Sequence, residues 1–177
     1  MCSCAGIMLH NRNMASMNID DPDDAADAGL QETEWKIGFM QRRFAKMLDL
    51  LRETTDATTQ AGILEGMGKA CAEEYTGQIK QFQGDIEGFI KHVEEQWAEK
   101  VDYNKEKGMI SITGKKQENC YCPFVNNDVT PAEFCNCSIG WQKRTFEFIS
   151  GQPVEASVSE TILGGGERCN FEISLNA

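Results

Sequence analysis

Two closely spaced pairs of cysteines constrain the folding of this sequence more than any other feature. Cys120 and Cys122 form the first pair, and after twelve intervening residues Cys135 and Cys137 form the second. A short loop between the pairs lets the four thiols converge, where they can bind a metal ion, form disulfides or act as reactive thiols at the mouth of a pocket. We therefore expect a functional site in this segment.

Length and composition predict a single folded unit preceded by a tail. The chain has 177 residues, of which 41% are apolar, enough to bury a core without disulfides. Residues 1–30 contain an acidic, turn-forming run with little apolar surface to bury, which predicts a disordered acidic tail. We predict that residues 31–177 form a single α+β domain of a ligand-binding type.

Charge and hydropathy disfavour two classes of partner. The net charge is −11 and the Lys and Arg residues are not clustered, so we expect no nucleic-acid binding. There is no run of about eighteen apolar residues and no typical secretory signal, so we expect no membrane insertion and a cytoplasmic location. In a reducing cytoplasm, clustered cysteines more often bind metal or do redox chemistry than form permanent disulfides.

Apolar residues at three- and four-residue steps predict three helices before the cysteine pairs. The first spans about 32–53, the second follows an N-cap at Asp56, and the third spans about 78–102. The apolar stripe of the second helix is broken by Gly62, Gly66 and Gly68. These glycines predict close packing against another backbone, space for a ligand, or simply a short or frayed helix.

After the third helix the apolar period changes to two residues, which predicts strands. Residues 109–113 form one predicted strand, and residues 154–162 and 168–175 form an antiparallel hairpin across a glycine-rich turn. The predicted fold class is α+β, with N-terminal amphipathic helices packed on a small antiparallel sheet that ends in a C-terminal hairpin.

Two local signals place residues around the cysteine segment. A helix is expected to begin near residue 131 or near Ser138 and to end at Gly151, and its Trp141 is a candidate pocket residue. In the last strand, alternation puts Cys169 on the same inward face as the apolar residues Phe171, Ile173 and Leu175.

Four interpretations of the cysteines remain open from the residues alone. The quartet Cys120, Cys122, Cys135 and Cys137, or a subset joined by Cys71 or Cys169, can bind zinc, which takes four thiolates at about 2.3 Å. Four thiolates can also hold an iron–sulfur cluster. Cys135 or Cys137 can be a reactive thiolate if a helix begins beside it, and the cysteines can instead be small buried apolar residues.

The segment from Cys120 onward also resembles a known family. Its Cys-x-Cys-Pro, Cys-x-Cys-Ser-x-Gly-Trp and Cys-x-Phe-x-Ile patterns resemble the C-terminal half of the four-vinyl-reductase-type small-molecule-binding domains. The resemblance extends over about 35–177 and includes cysteine-rich bacterial relatives and the amino-thiazoline-carboxylate hydrolase-like proteins. It implies an α+β fold with a ligand cavity or cysteine-lined site between the layers. The positions that match the family's cysteine pattern are Cys71, Cys120, Cys122, Cys135, Cys137 and Cys169, and Met67 stands in place of a further cysteine.

Three functional hypotheses follow from these observations. The leading one is a small-molecule-binding module in which the cysteine cluster, with zinc as the cofactor, anchors the site. The second is a hydrolase that acts on a small sulfur- or nitrogen-containing compound through a metal-activated water or a cysteine nucleophile. It requires a histidine or an acid beside the thiols, and the chain offers Glu118, Asp128 and Glu133 nearby. The third is a structural protein that forms a homodimer through a zinc-bound loop.

One further expectation concerns the order of the loop between the cysteine pairs. Few apolar side chains lie between Pro123 and Glu133. If the cysteines bind one metal ion, we expect this loop to depend on the metal for its order.

Overall fold

The computed structural model describes residues 22–175, with side chains from residue 29 onward. The described residues form helices and one antiparallel sheet, which is the predicted α+β class. The α-helices are α1 (Pro22–Thr54), α2 (Ala57–Ile79), α3 (Ile86–Gln96) and α4 (Asn136–Ser150). Short 3₁₀ turns at Lys80–Phe82 and Ala132–Cys135 precede α3 and α4. The strands are β1 (Ala98–Asn104), β2 (Met109–Gly114), β3 (Glu155–Glu160) and β4 (Asn170–Ser174).

The sheet has the strand order β1-β2-β4-β3, and every neighbouring pair is antiparallel. The predicted hairpin of the last two strands is therefore present. The predicted alternation along β4 is also confirmed, because Phe171 and Ile173 are buried whereas Glu172 between them is exposed. Ile110 and Ile112 of β2 face the same core. One face of the sheet thus packs against the helices.

The predicted third helix, 78–102, is wrong in its extent. Helix α2 continues to Ile79, and α3 begins only after Gly84, whose φ of +83° interrupts the helical path. The Asp85 carboxylate then accepts the N–H of Gly88 at 2.8 Å and caps α3. The last part of the predicted helix is strand β1, which pairs with β2. Sheet pairing has overridden a local apolar pattern that suits a helix.

Helix α1 is longer than its pattern predicted, because it begins at Pro22 and not near residue 32. Residues 1–21 of the predicted tail lie outside the described residues. The predicted cap of the second helix is confirmed: Asp56 Oδ1 accepts the N–H of Thr59 at 2.9 Å, and Oδ2 accepts its hydroxyl at 2.7 Å. Helix α4 ends, as predicted, at Gly151, which has a φ of +72°.

Buried side chains form two clusters. The larger lies between the sheet and helices α2 to α4, and Phe89, Phe146 and Ile173 are among its members. The smaller contains Leu48 of α1, Leu64 of α2, Val125, Phe134 and Cys137. The smaller cluster lies next to the cysteine segment, so the position of that segment depends on how α1 and α2 pack.

Candidate functional site

Helices α2 and α4 cross in backbone contact, and this crossing positions the cysteines they carry. A Cβ atom at Gly140 of α4 would lie 1.9 Å from the carbonyl oxygen of Glu65 in α2. No side chain larger than hydrogen fits there unless the helices separate. Of the three glycines in the predicted stripe, Gly68 makes a contact of this kind with Cys137, whereas Gly62 and Gly66 have no atom within 4 Å of such a position. The close-packing interpretation therefore holds for Gly68.

A cavity of about 440 Å³ lies beside this crossing. It is bounded by α2, α4, the ends of β2 and β4, and the cysteine loop, which we define as residues 115–131. Every cysteine singled out in the sequence lines this cavity: Cys71, Cys120, Cys122, Cys135, Cys137 and Cys169. Aromatic side chains supply much of the remaining wall: Trp97, Tyr121, Phe124, Phe134, Trp141 and Phe171. Segments far apart in the chain thus form one sulfur-rich, apolar site.

The thiols surround the cavity but do not meet at one point. Within the part of the chain that the structure describes, no group of three or more His, Cys, Asp or Glu side chains is arranged to hold a metal ion. A tetrahedral zinc ion needs four sulfur atoms at about 2.3 Å from a common centre. Side-chain rotations would have to bring the thiols together, so the zinc hypothesis remains a prediction that metal analysis must test.

The environment of the thiols favours their protonated form in the metal-free protein. Burial raises the pKa of Cys135 to about 11 and that of Cys137 to about 12. Burial also raises the pKa of Cys122 and of Cys169. Cys135 lies immediately before α4, so a helix does begin beside it, as the reactive-thiolate interpretation requires. This desolvation opposes the effect of the helix N-terminus, and the hypothesis of a reactive thiolate at Cys135 or Cys137 stays a prediction.

Contacts with α1 hold the cysteine loop in place. The side-chain amide of Gln41 donates hydrogen bonds to the carbonyl oxygens of Pro123, at 2.9 Å, and of Val125, at 2.8 Å. The ring of Phe44 lies 5.4 Å from that of Phe124, and Val125 is buried in the smaller cluster. These contacts support the loop from α1, and the expectation that its order depends on a metal ion stays a prediction.

Gln142 is a site residue that the sequence analysis missed. It lies on α4, lines the cavity and is only 3% exposed. Its Oε1 is buried, yet no donor from the described residues forms a hydrogen bond with it. A signal was present in the sequence, because Gln142 falls at helical spacing from Phe146 and Ile149 and is therefore a polar residue on the buried face of α4.

Histidine and acidic side chains are absent from the described lining of the cavity. Its one charged residue is Lys115, at the end of β2. Glu118, Asp128 and Glu133, the acids nearest the cysteines in sequence, do not line it. His92 lies on α3 with its Nε2 3.2 Å from the hydroxyl oxygen of Tyr75, and it does not line the cavity.

No protein-family model matches this chain, and no curated protein sequence matches it. It is similar to a structure of trafficking protein particle complex subunit 3 from Naegleria fowleri covalently bound to palmitic acid. That match has 13% identity and a TM-score of 0.49, and it covers 81% of this chain and 97% of that one. A second similar structure is the phenol-responsive sensory domain of the transcription activator PoxR with phenol. That match has 14% identity and a TM-score of 0.49, and it covers 75% of this chain and 73% of that one. At these TM-scores neither likeness carries an argument about what this chain binds.

The family resemblance and the expected absence of a membrane-spanning segment can be compared with these findings. The resemblance to four-vinyl-reductase-type domains remains a prediction, since no comparison reaches that family. Among the helices of residues 22–175, none is both long and apolar enough to cross a membrane.

Proposed function

We propose that this chain is a small-molecule-binding module whose ligand occupies the cysteine-lined cavity. The volume of about 440 Å³ falls within the range of roughly 300–1,000 Å³ that is typical of ligand pockets. The lining is mostly apolar with a few polar groups, which is the usual composition of such pockets. The side chains that line it come from α2, α4, the sheet and the connecting loops, including the cysteine loop.

The observation that carries this proposal is the unpaired Oε1 of Gln142. Burying an acceptor without a hydrogen bond costs about 1–3 kcal/mol. Thr145, one turn along α4 from Trp141, also has a buried hydroxyl without a partner among the described residues, but it does not line the cavity. Gln142 lines the cavity, so a rotation of its side chain would let Oε1 accept a hydrogen bond from a ligand N–H or O–H group. The ligand we propose is therefore largely apolar, and a hydrogen-bond donor on it strengthens its binding.

Zinc is a second component of the proposal. Six thiols line one cavity, which supplies more than the four donors that a structural zinc ion takes. Cys120, Cys122, Cys135 and Cys137 would hold the ion once their side chains had turned towards one another and lost their protons. A bound zinc ion would fix the arrangement of this part of the cavity wall.

The hydrolase alternative has less support. A cysteine nucleophile needs a base within hydrogen-bond reach. No histidine, aspartate or glutamate among the described residues lines the cavity. Binding without chemistry is the function that the arrangement of these side chains favours.

The proposal is tested by calorimetric titration of the full chain with decan-1-ol and with its ether, methyl decyl ether, which lacks the donor. We expect saturable binding of both, with the alcohol bound more tightly. In Gln142→Leu the preference for the alcohol should disappear, whereas the exposed Gln152→Leu should retain it. An absence of saturable binding of either compound to the wild-type chain would overturn the proposal.

A further inference from the structure

Lys115 gives the cavity a localised positive charge. It is the one charged side chain among the described residues that line the cavity, and no Asp or Glu side chain joins it there. This composition contrasts with that of the whole chain, whose net charge is −11. A single cation on the wall of an apolar cavity in an acidic protein is a feature that small-molecule binding in general does not explain.

The contacts of Lys115 leave its charge without an acidic partner. Its backbone N–H donates to the carbonyl of Trp97 at 3.0 Å, which fixes the main chain at the end of β2. Its Nζ donates to the carbonyl oxygens of Glu95 and Gln96, at 3.3 and 3.4 Å. These carbonyls end α3 and orient the ammonium group. No described carboxylate forms a salt bridge with it, whereas the adjacent Lys116 pairs with Glu167.

An ammonium group has three N–H donors, and the two carbonyls occupy two of them. The Lys115 side chain is half-buried, and its hydrogen bonds to Glu95 and Gln96 are exposed, so its charged end is accessible to solvent. This arrangement suits an anionic group at the edge of the cavity with an apolar body inside. One cation with one remaining donor matches a singly charged group better than a phosphate, which carries up to two charges and more acceptor oxygens.

We propose that the ligand of this cavity is an apolar monocarboxylic acid whose carboxylate pairs with Lys115. The inference rests on the proposed binding function and specifies the chemical class of the ligand. At about 30 Å³ for each water-sized group, 440 Å³ accommodates roughly fifteen non-hydrogen atoms. A saturated or aromatic acid of about ten to twelve carbons therefore fits the cavity.

The test compares decanoate with decan-1-ol by calorimetric titration of the full chain at neutral pH and low salt. We expect decanoate to bind about fivefold or more tightly than the alcohol, and this advantage to shrink as salt is added. Lys115→Gln should remove the advantage and leave the affinity for decan-1-ol within about twofold. Lys116→Gln, which removes the same charge outside the cavity, should leave the advantage intact.

The outcomes separate this inference from the proposed function. Equal binding of decanoate and decan-1-ol to the wild-type chain would overturn the assignment of an acid while leaving small-molecule binding in place. Tighter binding of decyl phosphate than of decanoate would overturn the choice of a carboxylate. An advantage for decanoate that survives Lys115→Gln would overturn the role of Lys115. Binding of none of these compounds would overturn the proposed function itself.

Discussion

A Cβ atom at Gly68 would lie 1.8 Å from the carbonyl oxygen of Cys137, so α2 and α4 touch through their backbones at the wall of the cavity. We therefore predict that Gly68→Ala destabilises the protein by about 1–3 kcal/mol, because the helices must separate to admit the methyl group. Urea unfolding, followed by circular dichroism, measures the change in the free energy of unfolding.

Gly66→Ala is the matched control for this substitution. It lies on the same helix, is exposed, and has no atom within 4 Å of the added Cβ. We expect it to stabilise the protein by up to about 1 kcal/mol, since alanine favours a helix more than glycine does. Equal effects of the two substitutions would mean that the helices do not approach each other as the structure has them.

The hydrogen bonds of Gln41 predict which contacts protect the cysteine loop. Gln41→Ala removes both bonds to the carbonyls of Pro123 and Val125, each worth about 0.5–1.5 kcal/mol. We expect faster limited proteolysis between residues 123 and 133 in this variant. Lys46→Ala, an exposed change on the same helix, should leave the cleavage rate unchanged. Cleavage that responds to a chelator and not to Gln41→Ala would support the metal-dependent explanation of loop order.

Thiol reactivity in the metal-free protein follows from burial. Burial raises the pKa of Cys137 to about 12, so at pH 8 we expect only about one molecule in ten thousand to carry its thiolate. We expect iodoacetamide to modify Cys137 far more slowly than Cys71, which is exposed. Because pH 7–10 lies below this pKa, the rate at Cys137 should rise about tenfold for each pH unit. Mass spectrometry of digested protein measures each rate, and fast modification of Cys137 at pH 7 would contradict this account.

The zinc hypothesis predicts a collective loss of metal. If Cys120, Cys122, Cys135 and Cys137 hold one ion, protein purified without added metal contains about one zinc per chain, and serine at any of the four positions lowers that content strongly. Cys71→Ser should retain zinc if the quartet alone binds it. Elemental analysis with a free-thiol count measures both. A metal-free protein with all its thiols free, isolated under reducing conditions, would refute the hypothesis.

Local sequence signals predicted much of the fold because short-range chemistry decides them. Asp56 caps a helix through its own side chain, and Gly151 ends one because glycine adopts positive φ freely. Strand β1 escaped prediction for the opposite reason. Its residues continue the apolar spacing of a helix through Val101, and only pairing with β2 makes them a strand. Gln142 was overlooked because the sequence does not show which atoms surround its side chain, and those atoms decide whether its acceptor is paired.

The sequence by itself determined the α+β class, the inward face of β4 and the identity of the cysteines at the site. Periods of two and 3.6 residues decide which face of an element a side chain occupies, so Cys169 could be placed inward without a structure. Only the tertiary structure decided that Cys71, Cys137 and Cys169 line one cavity with Lys115 on its wall. Distances between remote segments depend on how closely backbones pack. Here the contact of Gly68 with α4 sets the distance between the two helices, and the spacing of residues along the chain does not predict that contact.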